Sequence, residues 1–113
     1  MPQNRKKLIE LIIGTLSNAI VHEVLRVASR NKEIAVYYEK EIENAINISE
    51  KYRERINPLN KPFLNRDIVY IREKIISRAR AELMTRISKG YKNIDLNLIE
   101  KFVVKALKNM AIE

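Results

Sequence analysis

RKKLIELIIGTLSNAIVHEVLRVAS, residues Arg5 to Ser29, is apolar on more than one side of any helix it forms. Ile9, Ile13, Leu16, Ile20, Val24 and Val27 recur at steps of three and four, which is one stripe of a helix. Leu8, Leu11, Ile12, Ala19, Val21 and Leu25 occupy much of the remaining circumference. In a small protein such a helix is either central in a bundle or shared with another subunit. Gly14 costs a helix interior about 1 kcal/mol relative to alanine. With Ser17 and Asn18 nearby, it marks close approach of another helix.

Working outward, SRNKE places Asn31 where the first helix closes, and a second helix runs from Lys32 to Ile56. Its apolar stripe is Ile34, Tyr38, Ile42, Ala45, Ile48, Tyr52 and Ile56, and opposite it stand Glu39, Glu43, Asn47, Glu50 and Glu54. Like charges four apart repel, so this acidic row is either solvated or faces a basic surface. NPLNKPFLN then breaks the pattern, because residues before proline are pushed out of the α region. Asn65 or Asp67 can start a third helix that runs to Lys89 and stops at Gly90, a residue suited to positive φ. Asp95 is the expected N-cap of a last helix, Leu96 to Ala111.

The sequence therefore predicts an all-α fold, a bundle of three long helices (5–29, 32–56, 65–89) plus one shorter C-terminal helix (96–111), with a connector at 57–64. The 113 residues make one domain, and the apolar breadth of the first helix predicts a homo-oligomer. Two glycines and three prolines are too few for the turns of an all-β chain.

Composition excludes several classes of function. With no cysteine there is no disulfide framework, iron–sulfur cluster or thiolate zinc site. His22 is the only histidine, and HEVLR lacks the second histidine of a zinc-protease motif. Two glycines leave no phosphate loop or dinucleotide fingerprint, and no serine stands in a nucleophile-elbow context. The expectation is no enzyme, no metal, no cofactor and no small-molecule substrate. No secretory signal heads the chain, and the run Leu8 to Val21, with Glu10 inside it, is short for a bilayer span. A cytoplasmic setting without a membrane follows as an expectation. Abundant isoleucine, lysine and glutamate, with Gln3 the sole glutamine, fit a thermophile.

The formal net charge is +8. Residues 1–31 hold five cations and two anions, 32–56 five and six, and 57–113 twelve and six, so the excess lies in the C-terminal half. Along the third helix Arg72 and Arg80 fall within or beside the apolar arc, where a guanidinium either reaches a carboxylate across a helix contact or snorkels from a subunit boundary. Arg86 also lies off the solvent face. Lys74, Arg78 and Lys89 share one side, and Lys92 follows in the turn beside Tyr91, a candidate base-stacking ring. Lys101, Lys105 and Lys108 form a second row. Lysines suit phosphate contact as point charges without reading sequence. These seven residues are the candidate nucleic-acid surface, with the phosphate backbone as partner. The alternative is an oligomeric scaffold or adaptor whose acidic and basic faces pair with each other or with a partner.

Overall fold

A computed structural model describes residues 4–58 and 61–113. Leu59 and Asn60 of the expected connector lie outside the described residues, as do residues 1–3 of the expected domain. Among the described residues the fold is all-helical, with α1 Arg5–Ala28, α2 Lys32–Ile56, α3 Asn65–Ser88 and α4 Leu98–Asn109, and no strand. The chain forms a rod of 43 × 24 × 24 Å.

α1 is the axis. It packs against each of the other helices, α3 also packs against α4, and among the described helices α2 packs against α1 alone. The two-sided apolarity of α1 explains this position: Leu8, Ile9, Ile12, Ile13, Leu16, Ile20, Val21, Val24 and Leu25 are all buried. Fully burying a side chain of this size contributes roughly 1.5–3 kcal/mol. Ile71, Ile75 and Leu83 of α3, with Ile99, Val103 and Leu107 of α4, pack against them in the core, which Phe63 before α3 and Ile112 beyond α4 extend. By length and composition α1 is also apolar enough to cross a bilayer, which corrects the shorter span read from the sequence. Of that apolar window, 61% is buried inside the bundle.

Caps set the helix ends. The Asn4 side chain accepts from Lys6 N at 2.8 Å to open α1. Asn31 does not close α1: its Oδ1 accepts from Glu33 N (2.9 Å) and Ile34 N (3.3 Å) and so starts α2. α3 begins without a side-chain cap, with Leu64 rather than Asn65 or Asp67 at the cap position. Asp67 instead pairs with Arg5 at 2.7 Å, which places the N-terminal ends of α1 and α3 together. α4 starts two residues later than expected, because Asp95 Oδ1 accepts from Asn97 N at 2.9 Å and 95–97 form a turn first.

α3 and α4 end in the same way. Beyond α3, Tyr91 N donates to Arg86 O and Gly90 N to Ile87 O, with Gly90 at φ 100°. Beyond α4, Ile112 N donates to Leu107 O and Ala111 N to Lys108 O, with Ala111 at φ 55°. Both are Schellman motifs, the first on the residue type that tolerates positive φ and the second on one that does not.

The stripe expected on α2 is partly displaced. Ile42 and Ala45 are buried, but Ile34 and Ile48 are exposed, and Ser49 and Arg53 are buried in their stead. With α1 as its only close helical neighbour, α2 buries a narrow arc, and Ile34 and Ile48 fall at its edge. Within the contact, Thr15 Oγ1 and Ser49 Oγ lie 2.5 Å apart, and Ser49 Oγ donates to Ala45 O or to Thr15.

Candidate functional site

The seven candidate cations do not form one surface. On α3, Lys74 stands over the Tyr70 ring at 5.8 Å, and the Tyr70 hydroxyl donates to Glu10 Oε1 at 2.5 Å. That hydrogen bond raises the phenol's pKa above its ordinary value, with burial and the Glu10 charge adding to it and Arg78 opposing. Arg78 reaches the other Glu10 oxygen at 4.0 Å, so it is shared with α1 rather than free. Lys89 is exposed at the end of α3. Lys92 is exposed and edges a cavity of about 190 Å³ lined by Leu25, Ile34, Tyr38, Tyr91 and Ile94. Tyr91 lies 5.6 Å from the Arg86 guanidinium, as the Schellman geometry that brings those two residues together dictates.

Lys101, Lys105 and Lys108 are all exposed on α4, opposite buried Ile99, Val103 and Leu107. Among the described residues none of the three has a carboxylate at ion-pair distance. Lys105 borders a cavity of about 50 Å³ with Ala19, Ile20 and Glu23 of α1, Ile42 and Ile46 of α2, and Phe102 of α4. Burial there raises the pKa of the Glu23 carboxyl above its ordinary value, and the charges of Arg26 and Lys105 offset part of the rise.

A larger cavity, about 530 Å³, opens between α1 and α3. Gly14, Ser17, Asn18 and Val21 line it from α1, and Arg78, Ala81, Glu82, Thr85 and Arg86 from α3. Gly14 and Glu23 are about half a turn apart on α1 at 3.6 residues per turn. The α3 row therefore borders one flank of α1 and Lys105 the other.

The other arginines divide as well. Arg72 meets Glu113, beyond the end of α4, at 3.5 Å, a carboxylate of the kind its position in the apolar arc predicts. Arg80 is exposed and makes no such pair among the described residues, so the carboxylate, one of the two expectations for it, is absent. Arg86 pairs within its own helix, with Glu82 at 3.4 Å.

The most buried cation is Arg53, which sequence reasoning missed. It is 2% exposed and donates to Asn57 O at 3.0 Å, Lys61 O at 3.3 Å and Ala111 O at 3.1 Å. Its guanidinium also faces the Phe63 ring at 6.0 Å. The available signal was register: Ile42, Ala45, Ser49 and Arg53 share one helical arc once polar residues are admitted to it. His22 Nδ1 lies 2.7 Å from Asn18 O, and its ring tilts against Tyr38. Among the described residues no group of three or more histidine or acidic side chains is placed to hold a metal. Glu39, Glu43, Asn47, Glu50 and Glu54 are exposed, and no described ion pair joins them to the basic C-terminal half. No protein-family model matches the chain, and no curated protein or solved structure is significantly similar to it.

Proposed function

We propose that the chain is a non-catalytic, non-specific nucleic-acid-binding protein of the cytoplasm, acting within a nucleoprotein assembly through the lysine row of α4. The observation that carries this reading is the row itself: Lys101, Lys105 and Lys108 point away from the core, with no carboxylate at ion-pair distance among the described residues. Cations held this way attract phosphate through counterion release, without reading bases. Lys74, Arg78 and Lys89 are the weaker part of the surface, since Glu10 already engages Arg78.

The test is a titration of duplex DNA and of RNA at about 50 mM salt with micromolar protein. Replacing Lys101, Lys105 and Lys108 with glutamine should reduce the slope of log affinity against log salt on duplex DNA by about 0.9 per lost contact, hence about 2.7. Absence of a shift with either nucleic acid refutes the reading.

A second reading, a homo-oligomeric scaffold built from this bundle of three long helices and one shorter helix, draws on the apolar end of the rod. Val27, Ile34, Val36, Tyr37, Met84, Ile87 and Tyr91 are all exposed there, around the C-terminal ends of α1 and α3 and the start of α2. Apolar side chains gathered this way mark association surfaces. A monomeric mass by light scattering at high protein concentration removes this second reading.

A further inference from the structure

The α1–α3 groove contains donors without acceptors. Ser17 is 7% exposed, and its Oγ is buried with no hydrogen-bond partner. A serine inside a helix ordinarily bonds the carbonyl four residues back, as Ser49 does to Ala45 O and Thr85 to Ala81 O. Ser17 does not. Arg86 Nε, in the opposite wall, is likewise buried without a partner. Arg78 closes one end of the groove beside Gly14, where a Cβ would lie at ordinary contact distance, 3.6 Å, from Arg78 Nη1. Leaving a buried donor unpaired costs about 1–3 kcal/mol; of the unpartnered buried donors among the described residues, Arg53 Nε lies elsewhere, while Ser17 Oγ and Arg86 Nε both belong to this groove, where a ligand that accepts satisfies them together.

We propose that this groove binds a small-molecule oxyanion, a phosphate ester or a polycarboxylate, between Arg78 and Arg86 with Ser17 at its floor. Three features set the class. The volume of about 530 Å³ is that of a small-molecule site and far exceeds a lone inorganic ion. Arg78 and Arg86 are separated by about 12 Å of helix, at 1.5 Å per residue, which suits a ligand with charge at both ends. Guanidinium forks match carboxylate and phosphate oxygens equally.

The carboxylates already present are exchangeable. Glu82, exposed itself, holds the half-buried Arg86 within one helix turn, and Glu10 stands off the exposed Arg78 at 4.0 Å. Surface pairs of this kind contribute little, and an incoming oxyanion replaces them while adding the acceptor that Ser17 lacks. The site lies on the flank of α1 opposite the one Lys105 borders, so it stands apart from the α4 lysine row and shares only Arg78 with the weaker α3 part of the proposed nucleic-acid surface.

The experiment is calorimetric titration and thermal melting of the full chain with ATP, citrate and adenosine at about 0.15 M salt, where long-range attraction is screened. ATP or citrate should bind and raise the melting temperature, and adenosine should not. Binding of ATP alone assigns a phosphate ligand, and binding of both assigns a general oxyanion site. Ser17→Ala and Arg78→Gln should each weaken binding about tenfold or more, the scale of a hydrogen bond to a charged group. The free Ser17→Ala protein should melt no lower than the parent, which separates lost binding from lost folding. The Lys101, Lys105, Lys108 triple glutamine variant should bind as the parent does. The proposal fails if neither ATP nor citrate binds, if adenosine binds as well as ATP, or if both groove variants bind normally.

Discussion

Replacing Arg53 by methionine tests what holds the far end of the bundle together. The guanidinium joins three separate pieces of backbone: Asn57 at the end of α2, Lys61 in the connector and Ala111 beyond α4. Hydrogen bonds to a charged group contribute about 1.5–3 kcal/mol each, and an abandoned buried carbonyl costs about 1–3 kcal/mol. Lys61 is exposed, so water can take over its carbonyl, while Asn57 and Ala111 are half-buried. Against the two losses that remain stands the desolvation of a buried cation, several kcal/mol, which methionine recovers in part. The net expectation is a loss of about 2–4 kcal/mol, from a total of about 5–15 kcal/mol for a typical domain.

Equilibrium urea unfolding measures this directly. Amide hydrogen exchange adds a local signature, because Phe63 N donates to Ile112 O at 3.0 Å in the same clamp and should lose protection first. Arg53→Lys, with a compact ammonium in place of a planar fork, should fall between parent and methionine. A methionine variant as stable as the parent, with Phe63 still protected, would show that the cation's burial cancels its hydrogen bonds and that packing alone closes this end.

Ala111→Gly should stabilise the protein by about 1 kcal/mol in chemical unfolding, since a left-handed conformation costs L-residues about 1–2 kcal/mol that glycine avoids. Gly14→Ala should raise stability by up to about 1 kcal/mol, because the new methyl group meets only the end of Arg78 at ordinary contact distance. Glu23→Gln should flatten part of the acid-to-neutral stability profile. The native pKa of Glu23 is raised, so the folded state holds its proton more tightly, and stability falls as pH rises from below the unfolded pKa through the native one. Unfolding at a series of pH values checks this, and the glutamine variant should be the more stable at neutral pH. Ser49→Leu should cost about 1–3 kcal/mol by overfilling the α1–α2 contact, where Ser49 is fully buried.

The axis of the fold was legible because α1 has too much apolar circumference for any position but an enclosed one. Gly90 was legible for a similar reason, since its residue type matches its backbone. Ala111 was not, because it takes the same conformation without the residue that advertises it. Arg53 stayed hidden because periodicity counts apolar residues, and a guanidinium donating to three backbone carbonyls sits where those rules expect isoleucine. Ile34 and Ile48 misled in the opposite direction: they extend the α2 stripe in sequence, but α2 lacks the second helical neighbour needed to cover them. For the candidate site, each cationic row was readable along its own helix. Their placement on different flanks of α1 was not, and neither was the groove, which exists only once Gly14 and Arg78 meet across two helices.

The Arg53 clamp also orders events in time. Chains emerge from the ribosome N-terminal end first, at about 5–20 residues per second, and α1 and α2 are adjacent in sequence and joined by a short capped turn. That hairpin can pair while the rest is still being made, and Asn57 and Lys61 follow within eight residues, but the Arg53 clamp stays open until Ala111 arrives. A ribosome paused before that point would hold a nascent hairpin with much of the apolar face of α1 uncovered, the species on which chaperones would act.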